Sequence, residues 1–146
     1  MQDTSGVHVW LVLMKTFHAL GALAQDSLRL SEAGLGDSDF RVLEVLLSKG
    51  PLPVNTIGPK VWLTPGSISV AVDRLEKKRL VKRQTTDDRR VRLVKLTSKG
   101  RELISKTFAQ HAAAMEKATT LSKEERLRLL ELLRKLGKGA EHKPKR

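Results

Sequence analysis

The sequence predicts a mainly α-helical fold with one small antiparallel β-hairpin. Three observations carry that reading. Apolar residues recur at three- and four-residue spacing over most of the 146 residues. A strand–turn–strand signal interrupts this pattern at 81–97. The excess positive charge gathers around that interruption.

Residues 7–30 predict a long first helix, with Val9, Trp10, Leu13, Met14, Phe17, Leu20, Gly21, Ala24 and Leu28 as one apolar stripe. Ala33-Gly34-Leu35-Gly36 breaks it. Asp37-Ser38-Asp39 then offers an N-cap for a second helix that ends near Ser48 and buries Phe40, Val42, Leu43, Leu46 and Leu47. Gly50-Pro51-Leu52-Pro53 reads as a stop followed by a tight connection.

A short third helix fits 54–60, with Ile57 and Val61 as its contacts. Thr64 and Pro65 then supply an N-cap and a first helical residue whose missing N–H is no loss. From there Ile68, Ala71, Val72 and Leu75 line one face of a helix over 65–79. Strands are expected at 81–86 and 91–97, joined by the polar turn Asp87-Asp88-Arg89-Arg90. Ser98 can cap a fifth helix carrying Leu103, Ile104, Phe108, Ala112 and Met115 inward. A sixth over 122–136 is so leucine-rich that it has apolar surface for both its own core and a partner. The tail from Gly137 is basic and expected to fray.

The formal net charge is +12 and the isoelectric point near 10.4. Residues 1–73 carry −2, residues 74–101 carry +9, and residues 102–146 carry +5. A basic protein of this kind meets a polyanion, and the segment that would do so is the one holding the hairpin. The bland alternative is a solvated face. With no cysteine there is no disulfide or thiolate metal site. His8, His18, His111 and His142 show no ligand spacing, so no metal and no cofactor is expected. The start Met1-Gln2-Asp3 lacks the positive region of a secretory signal, and the apolar run 9–14 is far too short to span a bilayer. A soluble, cytoplasmic protein is expected. No nucleophile–His–acid arrangement or phosphate loop is visible, and an enzyme is not expected.

Helix, short turn and a capped helix of about four turns is helix-turn-helix anatomy. The run Leu63-Thr64-Pro65-Gly66-Ser67-Ile68-Ser69-Val70-Ala71-Val72-Asp73-Arg74-Leu75-Glu76-Lys77-Lys78 resembles the recognition-helix region of the MarR family of winged-helix regulators. It continues through Leu80-Val81-Lys82-Arg83 and Asp88-Arg89-Arg90 to Leu96-Thr97 and Lys99-Gly100, and the resemblance spans roughly 10–137. It implies a single MarR-like domain over 1–146: a winged helix-turn-helix DNA-binding lobe at 37–97, N- and C-terminal dimerisation helices at 7–30 and 98–137, and a basic tail at 138–146. Two positions depart from the family pattern. Arg79 stands where a glycine commonly precedes the wing, and Val70 where an arginine often stands.

With Ile68, Ala71, Val72 and Leu75 buried, helical geometry turns Ser67, Ser69, Val70, Asp73, Arg74 and Lys77 outward. The serines suit base edges or phosphates, Val70 a thymine methyl, and Arg74 and Lys77 the phosphate backbone. At the wing tip Arg90 can enter a narrow minor groove, and Arg89 is either a phosphate anchor or a solvated neighbour. Asp88 resembles the acid that shapes the family's wing by a bond to the turn backbone. The expected DNA-facing set is therefore Thr64, Gly66, Ser67, Ser69, Val70, Arg74, Lys77, Arg89 and Arg90.

The resemblance implies a homodimeric regulator of transcription, most often a repressor, on a double-stranded DNA operator. It also implies release by a small aromatic or phenolic ligand. Trp10, Met14, Phe17, His18, Phe40, Phe108, His111 and Met115 are the candidates to line its cleft, with core packing as the plain alternative. The rival reading is a nonspecific or architectural nucleic-acid-binding winged-helix protein without an effector. Single-strand recognition is disfavoured by only three Phe, two Trp and no Tyr.

Overall fold

A computed structural model describes residues 3–31 and 33–141. Six helices and three short strands follow in the order α1(Gly6–Arg29), α2(Asp37–Lys49), β1(Leu52–Pro53), α3(Val54–Lys60), α4(Pro65–Lys77), β2(Val81–Thr85), β3(Arg92–Leu96), α5(Ser98–Ala118) and α6(Lys123–Glu141) among the described residues. The chain divides into two compact units, Met1–Met115 and Glu116–Arg146.

The core of the first unit gathers around α2 and α4. Val42, Leu43 and Leu46 of α2 meet Ile68, Val72 and Leu75 of α4, with Ile57, Val81, Val94 and Ile104 closing the sides. Both helices bury the stripe that their spacing prescribes. Thr64 accepts the Ser67 N–H at 3.2 Å and caps α4, with Pro65 in the first turn.

The sheet is antiparallel in the order β1–β3–β2. Val81 pairs with Leu96, and Thr85 with Arg92. The segment Leu52–Pro53, expected as a plain connection, pairs with Val94 and Leu93 as a third strand. Two residues, one of them a proline without an N–H, leave no strand signal; only β3 beside them makes the strand.

Several helix ends differ from expectation. Gly36, without a side-chain cap bond, precedes α2, and Asp37 lies inside the helix, where it pairs with Arg41 at 2.7 Å. An acid in a first turn is favoured by the helix dipole and by a cation four residues on. Thr97, not Ser98, caps α5: its hydroxyl accepts the Gly100 N–H at 3.0 Å. Ser122 and Glu125 form a reciprocal capping box ahead of α6. That helix runs through Gly137 and Gly139 to Glu141, so the expected fraying at Gly137 does not occur there. The remainder of the basic tail, 142–146, lies outside the described residues. Open space around both glycines lets strong helix formers on either side carry the helix on.

The expected inward stripe of α1 is mostly uncovered. Only Leu28 is buried, while Val7, Trp10, Leu11, Phe17 and Leu23 are each more than half exposed. An 18-residue window of α1 has mean hydropathy 1.4 and no buried residue, so length and composition alone would allow it to cross a bilayer. The run 9–14 concealed this because isolated polar residues interrupt the stretch. In the second unit α6 buries none of its residues, and Leu127, Leu130, Leu132 and Leu136 lie on its surface.

Candidate nucleic-acid interface

α4 presents Pro65, Gly66, Ser67, Ser69, Val70, Asp73, Arg74 and Lys77 to solvent. Hydrogen bonding within the helix fixes what its hydroxyls can offer. Thr64 Oγ1 donates to Ser67 Oγ at 2.9 Å, leaving the Ser67 proton free to point outward. Ser69 Oγ donates back to the Pro65 carbonyl at 3.1 Å, which leaves it as an acceptor. Ser38, Leu63, Thr64, Gly66, Ser67, Val70 and Arg74 line a groove of about 560 Å³ between the start of α2 and the start of α4.

Two arginines hold the helix in place. Arg74 Nε lies 3.1 and 3.0 Å from the two oxygens of Asp39, and Nη2 reaches Oδ1 at 2.5 Å. Asp39 is almost wholly buried, and Lys78 Nζ stands 3.8 Å from its second oxygen. The bond to Asp39 raises the Arg74 pKa above its ordinary value. Arg74, expected on the phosphate backbone, therefore has a neighbour within the fold and docks α4 on α2. Arg83 of β2 does the same from the wing: it bonds Asp73 at 2.6 Å and pairs with Glu76.

The wing turn is ordered by its own side chains. Asp88 Oδ1 accepts the Arg90 N–H at 3.0 Å, and the Asp88 carbonyl accepts from Thr86 Oγ1 at 2.7 Å and Val91 N at 2.9 Å. Arg89 and Arg90 are exposed and have no ion pair among the described residues. Lys77 is likewise exposed at the end of α4.

Arg79 takes a left-handed backbone conformation with φ 60°, completing the turn from α4 into the wing. Its carbonyl accepts from Thr97 Oγ1 at 2.7 Å. Thr97 N also bonds the Leu80 carbonyl at 3.0 Å. Gly100 packs against that carbonyl so closely that a Cβ there would lie 1.9 Å from the oxygen. The base of the wing, the end of α4 and the start of α5 are thus one locked junction.

The eight cleft candidates do not converge. Phe17 and His18 share a cleft of about 450 Å³ with Asp37, Arg41 and Trp62. Phe40 stacks on Phe108 with ring centroids 6.5 Å apart, and His111 tilts against Phe40 at 4.9 Å. Trp10 and Met14 are exposed on α1, and Met115 is half-buried on α5. Burial lowers the His111 pKa below its ordinary value, with Asp37 opposing. His111 Nδ1 is 2.7 Å from Ser27 Oγ, whose own proton goes to the Ala24 carbonyl at 2.7 Å. With the Ser27 proton on the Ala24 carbonyl, Nδ1 is the nitrogen that donates to Ser27.

Sequence reasoning offered Asp39 only as a helix-cap candidate, not as a partner for Arg74, and did not single out Arg41, Arg83 or Trp62. Trp62 is 85% exposed with φ 54°, just ahead of the Thr64 cap. Arg41 bonds the preceding Val61 carbonyl at 2.5 Å, while its Nε is buried without a partner among the described residues. A lone tryptophan and scattered charges give no periodic signal.

Comparisons with known proteins agree with this geometry. The MarR family model matches residues 35–91. The HTH-type transcriptional regulator MhqR of Bacillus subtilis is 40% identical over 109 residues, 73% of this chain and 75% of that protein. A probable transcriptional regulator from Pseudomonas aeruginosa superposes with TM-score 0.74 at 28% identity, covering 88% of this chain and 96% of its own. Sco3205 of Streptomyces coelicolor, a MarR family regulator solved in complex with DNA, has the same fold. Its TM-score is 0.82 at 24% identity, over 95% of this chain and 89% of that one.

Proposed function

Because the chain belongs to the MarR family of winged helix-turn-helix transcriptional regulators, and so is a DNA-binding protein rather than an enzyme, we propose that it represses transcription from a two-fold-related duplex operator as a homodimer. In this reading α4 enters the major groove, and Ser67, Ser69 and Val70 meet the base edges. Lys77 and Arg89 hold phosphates, and Arg90 reaches into the minor groove. The observation that carries it is the pairing of an exposed, capped reading helix with a wing turn whose Arg89 and Arg90 are exposed and make no ion pair among the described residues. Sco3205, which shares this fold, is a MarR family regulator solved in complex with DNA, in keeping with a duplex as the partner.

The apolar surfaces of α1 and of α6 supply the dimer contact, since so many large apolar side chains exposed on one helix belong in an interface. A cytoplasmic location follows from access to DNA. A small aromatic or phenolic ligand releases the operator, and the cleft lined by Phe17 and His18, two of the effector candidates, is the place for it.

One observation favours the nonspecific reading: residues 64–73 contain no Arg, Lys, Asn or Gln to read a base pair with two hydrogen bonds. Footprinting in the presence of excess unrelated DNA decides between the two. Protection of one symmetric duplex site, with a dimer mass in sedimentation at micromolar protein, is the expected result. Uniform protection, or a monomer, would overturn the proposal.

A further inference from the structure

We propose that Val70 determines sequence specificity by recognising a thymine 5-methyl group, so that each operator half-site carries a T·A pair where Val70 touches it. This rests on the reading that α4 enters the major groove.

The reading face of α4 has few groups left to discriminate bases. Arg74 is held by Asp39 and Asp73 by Arg83. Ser69 directs its proton to the Pro65 carbonyl, and Thr64 directs its own to Ser67. The first turns are left with the Ser67 hydroxyl proton, the Ser69 oxygen as an acceptor and the two methyls of Val70. Guanine is normally read by a two-pronged Arg or Lys contact and adenine by Asn or Gln, and none stands in 64–73. Thymine alone presents a methyl in the major groove, and an apolar side chain is its match.

Val70 suits that task by position and stiffness. It is 60% exposed, the one large apolar side chain of α4 turned to solvent, and it lines the groove between α2 and α4. Gly66 and Ser67 lie four and three residues before it, on the same face. A Cβ at Gly66 would meet nothing within 4 Å, so the surface beside Val70 is open to a base-pair edge. A β-branched side chain has one strongly preferred rotamer in a helix, so its methyls are fixed before DNA arrives.

The test is deoxyuridine scanning, in which each thymine loses only its methyl. The probe is the duplex that the wild-type protein selects from a randomised pool. One thymine per half-site should weaken binding about fourfold when replaced, the worth of one buried methyl. Val70→Ser, checked for an unchanged melting temperature, should bind thymine and deoxyuridine duplexes equally. Val70→Thr, which keeps one methyl and the branched shape, should fall between and serves if the serine variant does not fold. A selected duplex with no methyl-sensitive position overturns the inference while sequence-specific binding stands. Full methyl sensitivity in a folded Val70 variant does the same. Selection of no sequence at all overturns the operator reading and this inference with it.

Discussion

Arg74 and Asp39 meet across α4 and α2 with the guanidinium Nε 3.0 and 3.1 Å from the two carboxylate oxygens, and the carboxylate is almost wholly buried. The pair fixes the tilt of the reading helix on the helix behind it. Asp39→Asn keeps the size but loses the charge, and should cost about 1–3 kcal/mol of stability. Chemical denaturation reads the stability loss. Operator affinity should fall as well, although Asp39 itself cannot favour a polyanion. An affinity that rises would show that Asp39 acts only by repelling DNA.

Gly100 cannot carry a side chain. A methyl there would stand 1.9 Å from the Leu80 carbonyl, backbone against backbone, where no rotamer change gives relief. Gly100→Ala should destabilise by about 1–3 kcal/mol or more. At this chain length that corresponds to roughly 4 °C in Tm per kcal/mol. Calorimetry checks it.

Arg79 sits in the left-handed region at φ 60°, where a Cβ costs about 1 kcal/mol. Arg79→Gly should therefore raise the urea midpoint while slightly weakening DNA binding through the lost charge. The two effects have opposite sign and are measured separately.

The folded His111 pKa lies below its unfolded value of 6.5 because burial opposes the charged ring. The unfolded chain then binds the proton more readily. Stability is full above pH 6.5 and is lost as pH falls through the folded value. His111→Gln should flatten that part of the stability–pH curve. An unchanged slope would assign the acid sensitivity to other groups.

Arg90→Ala should weaken operator binding about fivefold to tenfold and reduce the salt dependence by roughly one counterion, with the sedimentation mass unchanged. Asp88→Ala should do part of the same, since the Arg90 N–H loses its carboxylate partner. Gel-shift titrations at two salt concentrations measure both.

The start of α4 was legible because Thr64-Pro65-Gly66 is local punctuation, read within one turn. The wing was legible for a similar reason: charge and alternation coincide in one short segment. What escaped depends on distance. Arg74 and Asp39 are 35 residues apart, so an outward-pointing arginine could not be seen to have a partner. β1 exists only through its pairing with β3. The α1 stripe had the right period, but periodicity says which residues share a face and not what covers it. Trp62 adopts a left-handed conformation that favours glycine, and sequence pattern alone does not forecast such a strained residue.

The junction of Leu80, Thr97 and Gly100 leaves the wing without a hinge of its own. Thr97 and Gly100 at the start of α5 are bonded to or packed on Arg79 and Leu80, which join α4 to β2, so a torque applied there is passed to both. The wing base and the end of the reading helix are therefore expected to turn together, as one lever. Any motion that loosens the grip on DNA must tilt that whole lever, so wing and helix should be lost from the duplex together and not one after the other.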